Sequence, residues 1–241
     1  MDELCADAPD QGAALLVADF PRAYVDANRK ENDLNPDLVD GDFGLPLDPS
    51  VKTTLGIGLI REKVANGASI YARRLSPAEV RKRIETYHRP YHHTLGDLLN
   101  ATRRQFGLVY HLDMHSMASH ANAVTPDGGG KREFDMVLGD LDGTACEPGL
   151  TDLAYTTLAD LGYRVRVNDP YKGAYISRRY GRPEQGTHTL QIEMNRALYL
   201  DESTIEKNAQ FYELRKSLSV LFSEVAGYAA SQTKSEGEKN E

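Results

Sequence analysis

From Leu108 to His115 the chain alternates: Leu108, Tyr110, Leu112 and Met114 face one way, and His111, Asp113 and His115 face the other. That period of two is the signature of a half-buried strand. The same reasoning predicts strands over 163–168 (YRVRVN) and 188–195 (HTLQIEMN), the latter with Leu190, Ile192 and Met194 on one face and Gln191, Glu193 and Asn195 on the other. The apolar run at 13–18 (AALLVA) reads as a buried strand, followed by long Pro-, Asp- and Gly-rich loops up to about residue 58. From Ser76 the period changes to that of a helix. Ser76 is a cap, Pro77 takes the first helical position, Glu79 completes a capping box, and Val80, Ile84, Tyr87, Tyr91 and Leu95 form one stripe. Pro90 should kink or split this helix, leaving "RPYHH" at a break. A second helix is expected over roughly 150–161, stopping at Gly162. A long amphipathic helix near 203–228 carries Phe211, Leu214, Leu218, Leu221 and Val225. Strands alternating with helices imply an α/β sandwich with a mostly parallel or mixed sheet. Residues 1–230 read as a single domain and 231–241 as a polar, disordered tail.

Composition narrows the partners. The chain has 241 residues and a net charge of −8, which argues against a nucleic-acid or anionic-membrane surface while leaving room for a local basic pocket. No apolar run approaches the ~18 residues of a membrane span, and no secretory signal opens the chain. Cys5 and Cys146 match no metal spacing and are too few for a disulfide framework, which suits a cytoplasmic protein.

If the strands bearing "HLDMHS" and "QIEMN" share a sheet, their polar faces converge where open α/β sheets place ligands, bringing His115 near Glu193. A neutral imidazole is a good zinc ligand, and a carboxylate off the metal can take a proton from metal-bound water, so metal-assisted hydrolysis is one reading. Spacing alone leaves others open, since no HExxH or HxxE pair occurs. Ser116 with a nearby histidine would be a nucleophile and base, though without a G-x-S-x-G elbow. More simply, Asp113 and His115 would satisfy backbone groups at a strand end. Asn28 and Arg29 in "VDANR" suit a carboxylate clamp, or else a solvated Arg29 pairs with Asp26 or Glu31. "PYKGAY", with Gly173 beside Lys172, is a mobile loop over a site or an ordinary turn. Tyr91, His92 and His93 at the helix break read as packing plus solvent.

In order along the chain, "FPRAYVDANR", "RPYHHTL", "DMHSM", "LGD" at 138–140, "GYRVRVNDPYKGAYISRRYG" and "HTLQIEMNRALYLDE" resemble the N-formylglutamate amidohydrolase family, from about residue 2 to about residue 205. The resemblance implies a zinc-carboxypeptidase-like (phosphorylase/hydrolase-like) three-layer sandwich with a mixed sheet and one bound Zn2+. It also implies hydrolysis of N-formyl-L-glutamate to formate and glutamate in cytoplasmic histidine breakdown. By the same resemblance His115 is a zinc ligand and Glu193 is general base and acid; Asp113, on the same strand face as His115, is then expected to be its orienting partner. Asn28 and Arg29 hold a substrate carboxylate, Tyr171 and Lys172 belong to a loop near the site, and Arg196 orients the strand or a second carboxylate. The expected substrate is a small anionic molecule. Family members usually carry a Pro-His-Ser-Gly-like motif and then an acidic residue upstream of "MDELCADAP", supplying the other zinc ligands. Their absence leaves three expectations: a truncated chain, a substitute ligand among His111, Asp113 and His120, or a metal-free relative that binds a carboxylate without turnover. Hydrolysis of another N-acyl amino acid or peptide is a further alternative. Ala174 stands where the loop usually has a second glycine, which would restrict its backbone.

Overall fold

The computed structural model describes residues 1–64, 67–121 and 129–237. The chain divides into two compact units, Met1–Val17 with Leu98–Glu241, and Ala18–Asp97.

The larger unit is built on a four-stranded mixed sheet of β1 (Val109–Met117), β4 (Met136–Gly139), β5 (Val165–Val167) and β6 (Thr187–Asn195), in the order β1-β6-β4-β5. Strands β1 and β6 run parallel, β4 runs antiparallel to β6, and β5 runs parallel to β4. The alternation read from the sequence sets the faces. Leu190, Ile192, Met194, Met136 and Leu138 lie on a closed apolar face with Leu150, Ala154 and Leu158 of α4 (Pro148–Asp160) and Leu214, Leu218 and Leu221 of α6 (Phe211–Gly237). Leu4, Cys5 and Ala8 join the same core. Burying each large side chain there contributes about 1.5–3 kcal/mol, so this face anchors the sheet and leaves the other free for polar groups. The mixed α/β fold is as expected, with two short antiparallel strand pairs added: β2 (His120–Ala121) with β3 (Gly130–Lys131), and β7 (Leu200–Asp201) with β8 (Glu206–Lys207).

Two expectations are corrected here. AALLVA at 13–18 forms no strand and is mostly exposed, Leu15 at 40% and Val17 at 44%. An apolar run records a preference for burial but not a ladder partner, and among the described residues no strand pairs with it. The C-terminal helix starts at Phe211, not near 203, because its apolar stripe begins there and the Asn208 side chain accepts from the Gln210 N–H (3.0 Å) just ahead of it. The helix takes in 231–237 of the stretch expected as a tail; residues 238–241 lie outside the described residues.

The smaller unit holds α1 (Val51–Thr54) and α2 (Pro77–Arg83) around Val25, Leu34, Leu38, Phe43, Leu59, Ile60, Leu75, Val80 and Ile84. The Ser76–Glu79 capping box forms as expected. The break before Pro90 is a π-helical turn, Ile84–His88, in which the Arg89 N–H reaches the Ile84 carbonyl; α3 (Arg89–Phe106) then continues into the larger unit. The wider turn accommodates a residue with no N–H of its own and a bulky ring.

Candidate functional site

In the larger unit His115 stands in Cα register with Glu193, Asp113 with Gln191 and His111 with Thr189, all on the face away from the apolar core. His115 Nε2 lies 2.9 Å from Asp113 Oδ1, close enough for the carboxylate to help orient the imidazole. The Gln191 side-chain amide, itself buried, donates to Glu193 Oε1 at 3.2 Å and holds that carboxylate in place. His111 makes a 3.4 Å contact with Thr189 Oγ1; burial lowers its pKa, with Asp113 pulling the other way and His115 adding to the fall. The lowered value favours the neutral imidazole. Ser116 points to the other side of β1, where its Oγ accepts from exposed Arg196 Nε at 3.2 Å; it pairs with no histidine, and Arg196 links the two strand ends. His120 meets Ser119 Oγ at 3.0 Å and not the strand face.

The Tyr171–Gly173 loop crosses this face at Gly139 of β4, where a Cβ would come within 2.6 Å of the Lys172 carbonyl carbon. The Leu141 N–H donates to the Lys172 carbonyl at 2.7 Å. Gly173 has φ +112 and needs to be glycine; Ala174, at φ −134, does not, so the missing second glycine imposes no strain. The Lys172 ammonium is taken by Asp142 at 2.9 Å with both groups exposed, while the Tyr171 ring packs on Met117, Phe134 and Val137. Asp140, the acid of "LGD", is buried and accepts from Asn168 Nδ2 (2.7 Å), Gly143 N–H (2.8 Å) and Thr151 Oγ (2.9 Å), which makes it a brace for the loops beside the site.

In the smaller unit "VDANR" is a preorganised turn. Buried Asp26 accepts the Arg22 fork (3.2 and 2.8 Å) and the Asn28 N–H (2.9 Å), with Arg29 Nη2 4.0 Å away. Burial pushes its pKa up, but Arg22, Arg29 and the Asn28 N–H outweigh that, and the net shift is downward. Arg29 donates to the Ile57 and Asn28 carbonyls (3.1 and 2.7 Å), and Asn28 is 4% exposed, so Arg29 is not a solvated surface cation. The carbonyls of Arg29 and Ala27 are met by His88 Nε2 and His92 Nε2, each at 2.8 Å. His92 is thus a buried brace of this turn, whereas His93 is exposed and faces Asp97 at 3.4 Å. His88 escaped sequence reasoning, although its i,i+4 spacing from His92 across Pro90 was a usable signal. Arg132, a buried arginine between Ala118 and Tyr171, had none.

As a zinc centre the donors are incomplete. A catalytic zinc takes three protein ligands, and among the described residues no three His, Cys, Asp or Glu side chains converge to hold one. The cysteines are no nucleophiles: burial pushes Cys5 up to about 11 and Cys146 to about 12. Among the described residues no helix is long and apolar enough to cross a membrane.

Three comparisons bear on this arrangement. A family model described as "N-formylglutamate amidohydrolase" matches residues 1–200. The N-formylglutamate deformylases of Pseudomonas putida and Pseudomonas aeruginosa are 32% identical over 199 residues and 33% over 198, in each case 81% of this chain and 67% of the relative. The crystal structure of an N-formylglutamate amidohydrolase from Ralstonia eutropha superposes with a TM-score of 0.89 at 42% identity, over 96% of this chain and 82% of that one. A gene product of Agrobacterium tumefaciens, at 18% identity and a TM-score of 0.55 over 88% of this chain and 68% of that one, shares the fold alone.

Proposed function

The chain belongs to the N-formylglutamate amidohydrolase family, and on that premise we propose that it hydrolyses the amide of an N-acylated acidic amino acid, N-formyl-L-glutamate, to formate and L-glutamate. The observation that carries the reading is the register of His115 with Glu193 on one polar sheet face. Glu193 takes a proton from the attacking water, the water oxygen bonds to the formyl carbon, and the carbon–nitrogen bond breaks as the same carboxyl group returns the proton to the departing amine. Asn28 and Arg29, fixed by Asp26, His88 and His92, are the proposed holders of a substrate carboxylate; in the larger unit Tyr171, Lys172 and Arg196 are the further proposed substrate-binding residues. An acidic protein accepts a dianion because only the pocket need be basic.

Zn2+ belongs to the proposal through His115. The described residues do not complete a three-ligand centre around it. A zinc-carboxypeptidase-like three-layer sandwich is the proposed architecture, and cytoplasmic histidine breakdown the proposed setting. The incomplete donor set favours one second reading: a relative that binds the carboxylate ligand without turnover.

The test is formate release from N-formyl-L-glutamate, beside a panel of N-acetyl and N-formyl amino acids, at several zinc concentrations with bound metal quantified. Formate and glutamate in equal amounts, with N-formyl-L-glutamate preferred, are expected. Binding of N-formyl-L-glutamate with no formate at any zinc level would overturn hydrolysis and establish the second reading.

A further inference from the structure

Arg132 is 3% exposed and lies outside every motif of the proposed site. Its guanidinium donates through Nη1 to the Ala118 carbonyl, just past the end of β1, and through Nη2 to the Tyr171 hydroxyl at 2.8 Å. Its backbone N–H donates to the Ser119 carbonyl at 2.9 Å, and its Cζ lies 5.7 Å from the centre of the Tyr171 ring. The ring it steadies packs on Met117 and Val137. Met117 follows His115 by two residues on the same face of β1, and Val137 is the Cα partner of Glu193. Tyr171 therefore packs against a cluster that contains sheet neighbours of His115 and Glu193. Burying a guanidinium is costly unless its donors are met, and packing alone would be served by a neutral side chain. What arginine adds is a rigid plane of directed donors able to serve two acceptors at once.

We infer that Arg132 is a positioning residue: it holds the Tyr171 phenol, and with it the Tyr171–Gly173 loop, against the His115/Glu193 face, and so sets substrate affinity without touching substrate. The inference rests on the proposed amidohydrolase reading for its kinetic part only. The loop's attachment is a property of the fold.

The experiment is a double-mutant cycle of Arg132→Ala and Tyr171→Phe, followed in two ways: KM and kcat for N-formyl-L-glutamate, and the rate of tryptic cleavage after exposed Lys172. Each single variant should raise KM about tenfold, the order of one lost charge-assisted hydrogen bond, with kcat within about threefold. The double variant should be no worse than the poorer single, because both remove one link. Millimolar guanidinium should lower the KM of Arg132→Ala and leave Tyr171→Phe unchanged, which a merely structural role would not produce. Cleavage after Lys172 should quicken in both variants. Additive KM losses, or KM and cleavage both unchanged, would overturn the inference. If Arg132→Ala does not fold, Tyr171→Phe decides alone, since it keeps the buried arginine: unchanged KM and cleavage refute the link. If wild-type protein releases no formate, the proposed function fails, and the cleavage rates still decide whether Arg132 holds the loop.

Discussion

Replacing Gly139 by alanine puts a Cβ 2.6 Å from the Lys172 carbonyl carbon, 2.7 Å from Gly173 N and 2.9 Å from the Lys172 oxygen. All three are backbone atoms, so no rotamer change relieves the contact. Restoring an ordinary carbon separation of ~3.5 Å requires the loop to retreat by about 0.9 Å. Overpacking of this kind costs about 1–3 kcal/mol. The retreat also stretches the 2.7 Å bond from the Leu141 N–H to the Lys172 carbonyl, a further loss of about 1 kcal/mol. The sum is about 2–4 kcal/mol, which for a protein of this size lowers Tm by roughly 5–15 °C. Thermal unfolding followed by circular dichroism measures it, and KM for N-formyl-L-glutamate should rise in parallel because Tyr171 travels with the loop. A Tm within about 2 °C of wild type, on the same scaling, would refute the close approach of Lys172–Gly173 to β4 on which the site description depends.

Two other perturbations address the smaller unit. His92→Phe keeps an aromatic ring in place but removes the imidazole nitrogen that meets the Ala27 carbonyl at 2.8 Å, and urea unfolding should show a loss of about 1–3 kcal/mol; no loss would mean the histidine does not brace the "VDANR" turn. Asp26 has a pKa held below that of the unfolded chain despite burial. Its contribution is therefore present above the ordinary carboxylate value of about 3.9 and is lost as pH falls through the lower folded-state value. Stability measured by urea unfolding should fall as pH drops below about 4, with a shallower acid limb in Asp26→Asn; identical slopes would contradict the assignment.

Sequence pattern exposed much of this fold where packing is one-sided. The alternation in β1 and β6 separated the apolar from the polar face, and the capping signals located α2. Strand β4 went unseen because its four residues are all buried, and a short apolar run without alternation carries no period. The apolar run 13–18 misled for the converse reason: apolarity was present but no strand partner was. That His115 and Glu193 face the same way from their sheet was legible because each sits on an alternating strand, whereas the roles proposed for them came from the resemblance and only the fold supplied their one-to-one register. Arg132 was not legible, since its role comes from two partners 14 and 39 residues away in sequence. His88 was missed although it stands four residues before His92, because the π-turn that carries it to the Arg29 carbonyl is a backbone feature that spacing does not show.

The central claim is that the carboxylate opposite His115 performs the proton transfers of amide hydrolysis. Its most direct test is kcat for formate release by Glu193→Gln, a variant of the same shape, with Tm as the control for folding. A fall of about 10²–10⁴ at unchanged Tm is predicted, the usual contribution of a general base; a folded variant with wild-type kcat would contradict the account.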